Sequence, residues 1–182
     1  MRIIAGKYRG RKLVSFDADH IRPTTDRVKE SLFNSIQFDL EDSRVLDLFA
    51  GTGNLSLESL SRGASSVTTV ETNPKSIAII NKNKELLKVG SEMLLHKQDV
   101  FKFLKTYSGE PFGVILIDPP FTEKYGDRVM QELSKSGVYD RASLVAIETS
   151  KSEAFADTYE PFVIKKQKNF GDKILTIFEI KN

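Results

Sequence analysis

From residue 44 onward the apolar positions switch repeatedly between short continuous runs and helical spacing. Runs at 44–48, 66–71, 93–98, 112–117 and 143–147 read as buried strands. Between them, 54–62, 74–88, 100–106 and 123–135 carry helical patterns. Their punctuation agrees: Gly63 and Gly90 suit helix C-termini, Asn73-Pro74 a capped helix start, and Asp99 an N-cap. Two further strands, 161–168 and 172–180, are joined only by Asn169-Phe170-Gly171, which forces them antiparallel. Ahead of this array, 2–5 and 11–14 read as a hairpin whose turn displays Lys7, Tyr8 and Arg9. A helix opens near Arg22-Pro23-Thr24-Thr25, with a Thr as cap and Asp26 and Glu30 near its positive end. Val28, Leu32 and Ile36 form its apolar face, leaving Arg27 and Lys29 for other faces. Repeated βα units predict an α/β fold: a mostly parallel twisted sheet, Rossmann-like, with helices on both faces. An antiparallel C-terminal hairpin and a short N-terminal β-hairpin extension complete it. Residues 1–182 read as one domain, with 1–20 as a basic extension of the body at 21–182.

In such sheets ligands bind beyond the carboxyl ends of the strands, and Gly51, Glu71, Asp99, Asp118 and Glu148 all fall there. Gly51 and Gly53 let backbone lie against a ligand, and a carboxylate at Glu71 can accept both hydroxyls of a ribose. The dinucleotide fingerprint wants a third glycine where this chain has Ser56, and no phosphate-cradling Gly-Lys-Ser/Thr follows. The expected ligand is therefore a nucleoside without a pyrophosphate, which S-adenosylmethionine satisfies. Glu148 reads as a plain strand end and is left out of the site.

Asp47-Leu48-Phe49-Ala50-Gly51-Thr52-Gly53, an acid after the next strand, and Asp118-Pro119-Pro120-Phe121 after the fourth resemble the class I S-adenosylmethionine-dependent amino-methyltransferases. Met1-Arg2-Ile3-Ile4-Ala5-Gly6 with Gly10-Arg11, then Arg22-Pro23-Thr24-Thr25-Asp26-Arg27-Val28-Lys29-Glu30, narrow the resemblance to the RsmD family, bacterial 16S ribosomal RNA guanine-N2 methyltransferases. It spans essentially the whole chain and implies a class I methyltransferase fold. The cofactor would lie on Asp47, Phe49, Gly51, Gly53, Glu71, Asp99 and Val100. Glu71 would hold the ribose and Asp99 the adenine amine, although Asp99 also reads simply as a helix cap. An exocyclic amine is a poor nucleophile because its lone pair is delocalised. Acceptors at Asp118 and the Pro119 carbonyl, stiffened by Pro119 and Pro120, would favour the form that attacks, and Phe121 would stack on the flipped base.

Composition narrows the alternatives. With no Cys, a disulfide framework, thiolate metal site or thiol nucleophile is excluded. His20 and His96 stand far apart, so no metal is expected. No apolar run reaches membrane-spanning length and no signal-peptide core is present, so the cytoplasm is the expected location. The net charge of +2 says little by itself, but its distribution is uneven. Arg2, Lys7, Arg9, Arg11 and Lys12 crowd the first twelve residues without an acid; Lys165, Lys166, Lys168 and Lys173 face Asp172 alone. Such clusters attract phosphate backbones. Arg2, Lys7, Tyr8, Arg9, Arg11, Arg22 and Arg27 are the candidate RNA contacts. Tyr8 suits stacking on a base or packing on its own strand, and Arg22, Thr24 and Arg27 suit RNA, cofactor or fold. The expected substrate is 16S ribosomal RNA in an assembled or assembling small ribosomal subunit. Rival readings are an amino-methyltransferase on another RNA or DNA base, such as adenine N6, and a non-catalytic RNA-binding assembly factor. A nicotinamide-dependent oxidoreductase is disfavoured by Ser56 and the Asp-Pro-Pro-Phe loop.

Overall fold

The computed structural model describes residues 1–16, 26–120, 123, 125–153, 156 and 158–181. Its helices are α1 (Asp26–Ser35), α2 (Gln37–Leu40), α3 (Asn54–Ser61), α4 (Pro74–Leu87), α5 (Val100–Thr106) and α6 (Gly126–Leu133). Its strands are β1 (Arg44–Leu48), β2 (Ser66–Glu71), β3 (Met93–Lys97), β4 (Val114–Ile117), β5 (Leu144–Ser150), β6 (Phe162–Phe170) and β7 (Lys173–Ile180). Among the described residues these strands form one sheet in the order β3-β2-β1-β4-β5-β7-β6. β1 to β5 run parallel, and β7 is antiparallel to both β5 and β6. This is a Rossmann-like methyltransferase fold. The strand order reverses between β1 and β4, which opens a crevice at their carboxyl ends.

Period-two alternation splits the sheet between two cores. Val45, Leu116, Ala146 and Leu175 face Leu32, Phe33 and Leu57 of α1 and α3. Leu46, Ile115, Ile147 and Phe178 face Phe103, Val129 and Leu133 of α5 and α6. Asp47 is two residues from Val45 and so points to the α1/α3 side.

Every residue of α3 is buried. A helix covered all round needs a second layer, and the amino-terminal segment supplies it. Glu58, with no exposed surface, accepts from the amides of Ile4 at 2.8 Å and Ala5 at 3.1 Å, and from Arg62 Nε at 2.7 Å. It also pairs with Lys29 Nζ at 3.1 Å. Lys29 is itself fully buried, and donates to Arg2 O at 2.5 Å and Asn54 Oδ1 at 2.9 Å. Burial pushes its ammonium pKa down, against the pull of Glu58. Lys29 stands off the Val28–Leu32 row, as its spacing predicts, but one turn before the buried Phe33 its side chain meets α3 and residue 2, not water.

The amino-terminal hairpin is present but short: one antiparallel bridge, Arg2 to Lys12, is flanked by Ile3 N to Arg11 O, Leu13 N to Met1 O and Gly10 N to Ile3 O, and other amides of the segment turn to α3. Lys7 N donates to Ser61 O at 2.7 Å and Tyr8 N to Ser61 Oγ at 2.9 Å. Gly6, at φ +79°, lies so close that a Cβ would meet Ser61 O at 1.7 Å. Tyr8 is half-buried against the α1/α3 core with Lys7 above its ring, so it packs. At the end of α4 the left-handed residue is Lys88 at φ 55°, not Gly90, whose amide bonds Glu92 instead. Other boundaries shift by a few residues: α6 starts at Gly126, β4 at Val114, and β5 continues to Ser150 beside β7. The Thr cap, Arg22, Thr24 and Phe121 lie outside the described residues.

Removing the Glu58 carboxylate would leave Lys29 buried and uncompensated. Glu58→Ala should therefore destabilise the fold by about 3–5 kcal/mol, read as a drop in urea midpoint at unchanged slope. A loss under about 1 kcal/mol would show that the contact contributes little.

Candidate active site

β1 ends in a turn that the backbone holds under tension. Phe49 takes φ 62°, unusual for a residue with a Cβ, and Gly51 follows at φ 57°. The conformation is pinned from the side: Ala50 N donates to Val70 O at 3.2 Å and Gly51 N to Glu71 Oε2 at 2.8 Å. Glu71 Oε1 takes the amides of Thr72 and Asn73, each at 2.7 Å. Glu71 thus ties β2 to the glycine turn, with about one of four lone-pair positions left. A Cβ at Gly51 would meet no atom within 4 Å, so the turn borders open space. Gly53 faces inward, a Cβ there meeting Ile80 Cγ1 at 3.3 Å.

Asp47 lies beneath the turn with no exposure. Its Oδ2 accepts from Ser56 Oγ at 2.5 Å, and Ser56 Oγ lies 2.9 Å from Thr69 Oγ1. Its Oδ1 has no hydrogen-bond partner among the described residues. Burial, more than the nearby Asp118 and Glu71 charges, raises its pKa to about 7. Ser56 is therefore more than a missing glycine: its hydroxyl holds one oxygen of Asp47 and leaves the other for a ligand. A buried acceptor without a donor, beside a turn open to a ligand, fits a small molecule carrying a cationic or N–H donor.

β4 and β1 are in register at Ile117 and Leu48, so Asp118 and Phe49 leave the sheet side by side. Asp118 is half-buried, Pro119 buried and Pro120 exposed at the crevice. On the far flank Asp99 caps α5, Oδ1 accepting from Lys102 N at 2.9 Å, and is exposed. Val100 is buried behind it. The capping reading of Asp99 holds, and its exposed carboxylate remains at the crevice edge. Sequence reasoning missed an aromatic wall here. Phe49 stacks on Tyr125 with centroids 5.9 Å apart, Phe101 meets both edge-on, and the Arg128 guanidinium lies 3.8 Å above Phe101. Spacing alone could not find it, since it joins the ends of β1, α5 and the loop before α6. Among the described residues no cluster of three or more His, Cys, Asp or Glu could hold a metal ion. No helix among them is long and apolar enough to cross a membrane.

The expected RNA contacts separate into two places. Arg27, at the start of α1, lines a groove of about 500 Å³ with Ser31, Asn34, Lys168, Asn169 and Phe170. Arg2 lies nearby through its 3.0 Å ion pair with Asp26. Lys7 and Arg9 sit at Ser61, the far end of α3, about 10 Å from Asn54 at 1.5 Å rise per residue. Arg11, exposed, lies between, its carbonyl bonded to Ile3 N. The carboxy-terminal lysines also disperse: Lys165 pairs with Glu179, Lys168 bonds Ser31, and Lys173 is buried against Glu148.

Against this geometry, comparison with known proteins is decisive. The family model described as conserved hypothetical protein 95 matches residues 1–179. Ribosomal RNA small subunit methyltransferase D of Haemophilus influenzae is 37% identical over 94% of this chain and 89% of its own. The chain belongs to that family. The protein of the same name from Escherichia coli K12 is 31% identical over 98% of this chain and 89% of its own. A solved structure, a putative methyltransferase from Escherichia coli, superposes with TM-score 0.88 at 31% identity, covering 100% of this chain and 98% of that one.

For this family member the buried acids make stability pH-dependent. The folded pKa of Asp47, about 7, exceeds its ordinary 3.8. Its contribution is then fully present below about pH 4 and lost as pH rises through 7. Ligand-free protein should unfold at lower urea at pH 8 than at pH 5.5, and Asp47→Asn should flatten that decline. An Asp47→Asn profile parallel to wild type would show that Asp47 ionises freely.

Proposed function

We propose that this protein transfers a methyl group from S-adenosylmethionine to the N2 amine of a guanine in 16S ribosomal RNA of the small subunit. One observation carries the reading: a buried carboxylate with a vacant acceptor, a pinned glycine turn and Asp118-Pro119-Pro120 leave adjacent strands at one crevice. Membership in the family makes the RNA substrate the natural one. S-adenosylmethionine supplies a methyl already activated for transfer, so the chain's work is binding, aim and water exclusion. Asp47 Oδ1 suits its ammonium, the remaining lone pair of Glu71 a ribose hydroxyl, and Asp99 with Val100 the adenine edge. The Phe49–Phe101–Tyr125 wall gives the adenine an apolar flank. Asp118 and the Pro119 carbonyl accept from the target amine, and the two prolines hold those acceptors in place beforehand. Phe121 follows them in sequence and would stack on the base.

The groove of Arg27 and Lys168 is where the RNA backbone would reach this edge. Lys7, Tyr8, Arg9 and Arg11 would meet RNA further down the outer face, so a substrate that extends past the active-site edge engages both. A folded ribosomal subunit, assembled or assembling, has that extent. We take 1–20 as an extension of the catalytic body rather than a separate unit, and cytoplasm as the setting, with no metal required.

Asp118→Ala should lower methyl transfer to unmethylated small subunits by roughly 10²–10³-fold while S-adenosylmethionine binding persists. Glu71→Ala should weaken that binding by about 1–3 kcal/mol in calorimetry. Mass spectrometry of the product nucleosides decides the base: N6-methyladenine in place of N2-methylguanine would overturn the guanine assignment, and near-full activity of Asp118→Ala would overturn the site. Arg27→Ala should weaken RNA binding and lower its salt slope by about one contact. Replacing Lys7, Arg9 and Arg11 together by Ala should remove up to about three. A filter-binding titration at several salt concentrations reads both, and an unchanged slope in either variant would remove that group from the interface.

A further inference from the structure

A second buried ion pair sits beside Asp118 and is not explained by the fold. β4 and β5 are in register at Ile117 and Ile147, so Asp118 and Glu148 are the next neighbours, on strands about 4.8 Å apart. β5 and β7 pair Ser150 with Lys173, which puts Lys173 on the face of Glu148. Glu148 is 2% exposed and Lys173 5%. Lys173 Nζ donates to Glu148 Oε1; Glu148 Oε2 is buried with no hydrogen-bond partner among the described residues. Glu58 spends its charge joining three segments, whereas Glu148 and Lys173 join strands already laddered by backbone. Burial, and then the Asp118 charge, push the Glu148 pKa up to about 7 despite Lys173. An unmet acceptor held in this environment gains when a ligand brings it an N–H. Lys173 also lines a cleft of about 230 Å³ with Arg27, Phe170 and Asp172, which sets the Lys173 end of the pair beside the groove that Arg27 and Phe170 share.

We propose that Glu148 and Lys173 read the Watson–Crick edge of the target base, Glu148 Oε2 accepting from guanine N1–H and Lys173 donating to O6 while Asp118 holds the N2 amine. The proposal rests on the guanine reading above and extends it to specificity. Guanine presents adjacent N–H donors at N1 and N2, matching adjacent carboxylates on β4 and β5, and a carbonyl beyond them, matching the ammonium. Adenine presents a bare nitrogen at N1 and an amine at position 6, which set acceptor against acceptor and donor against donor. A site built to hydrogen-bond one pattern rejects the other because its own buried groups go unpaired.

The test uses small subunits reconstituted with ligated RNA, after nucleoside mass spectrometry of the wild-type product has located the methylated residue. That residue is supplied as guanine or as 2,6-diaminopurine, which keeps the 2-amine but lacks N1–H and O6. Wild type should favour guanine by at least about tenfold. Glu148→Gln should lower the guanine rate by a similar factor and bring the preference to about threefold or less, with S-adenosylmethionine affinity unchanged. If Glu148→Gln does not fold, the combined Glu148→Gln and Lys173→Met replacement removes both charges together, and the same ratio is read. A wild-type preference retained in either variant overturns the proposal. Failure of the guanine reading itself shows in the wild-type arm alone, as a product other than N2-methylguanine.

Discussion

The buried carboxylate of Glu58 is the constraint on which the rest depends. It gathers two amides of the amino-terminal segment, the ammonium of α1 and the guanidinium that follows α3. Such a charge is tolerable inside only because its acceptor positions are met by amides and cations. The consequence is geometric: residues 4–8 are clamped along α3, and α1 is locked beside it. α3 begins at the glycine turn, so the clamp also fixes one wall of the crevice.

Above that clamp the site is assembled by topology. The reversal of strand order between β1 and β4 brings Asp47, Glu71, Asp118 and Glu148 to one end and one face of the sheet. Glu71 is spent largely on backbone amides and Glu148 is paired with Lys173, which leaves Asp47 and Asp118 as the acids of that end most open to a ligand that brings a cationic or N–H donor. Burial first, and then the charge of Asp118, push the pKa of Asp47 and of Glu148 up to about 7. Two of these acids each keep one oxygen without a donor, one near the cofactor turn and one near Asp118.

Much of this was legible in the chain. Val28, Leu32 and Ile36 at helical spacing named the face of α1 that is buried, and the runs at 44–48 and 66–71 matched β1 and β2 residue for residue. Local chemistry sufficed for Asn73 and Asp99, whose caps bond amides two and three residues away. It misled at Gly90, where a glycine was available but Lys88 turned the chain, and it gave the amino-terminal hairpin without showing that Ile4, Ala5, Lys7 and Tyr8 turn their amides to α3.

The order of strands and helices, the glycine turn and the acids at strand ends were determined by sequence alone, because each follows from periodicity or from contacts within a few residues. Tertiary structure decided which charged residues are buried and which residues meet across elements. Lys29 and Glu58 are far apart in sequence, as are Glu148 and Lys173, and no period along the chain connects them. Lys29 therefore looks like a solvated surface lysine and Glu148 like a harmless strand end until the fold brings their partners. The basic residues divide for the same reason: Lys7 and Arg27 share a charge and a neighbourhood in sequence, but the run of α3 separates them to opposite ends of one helix.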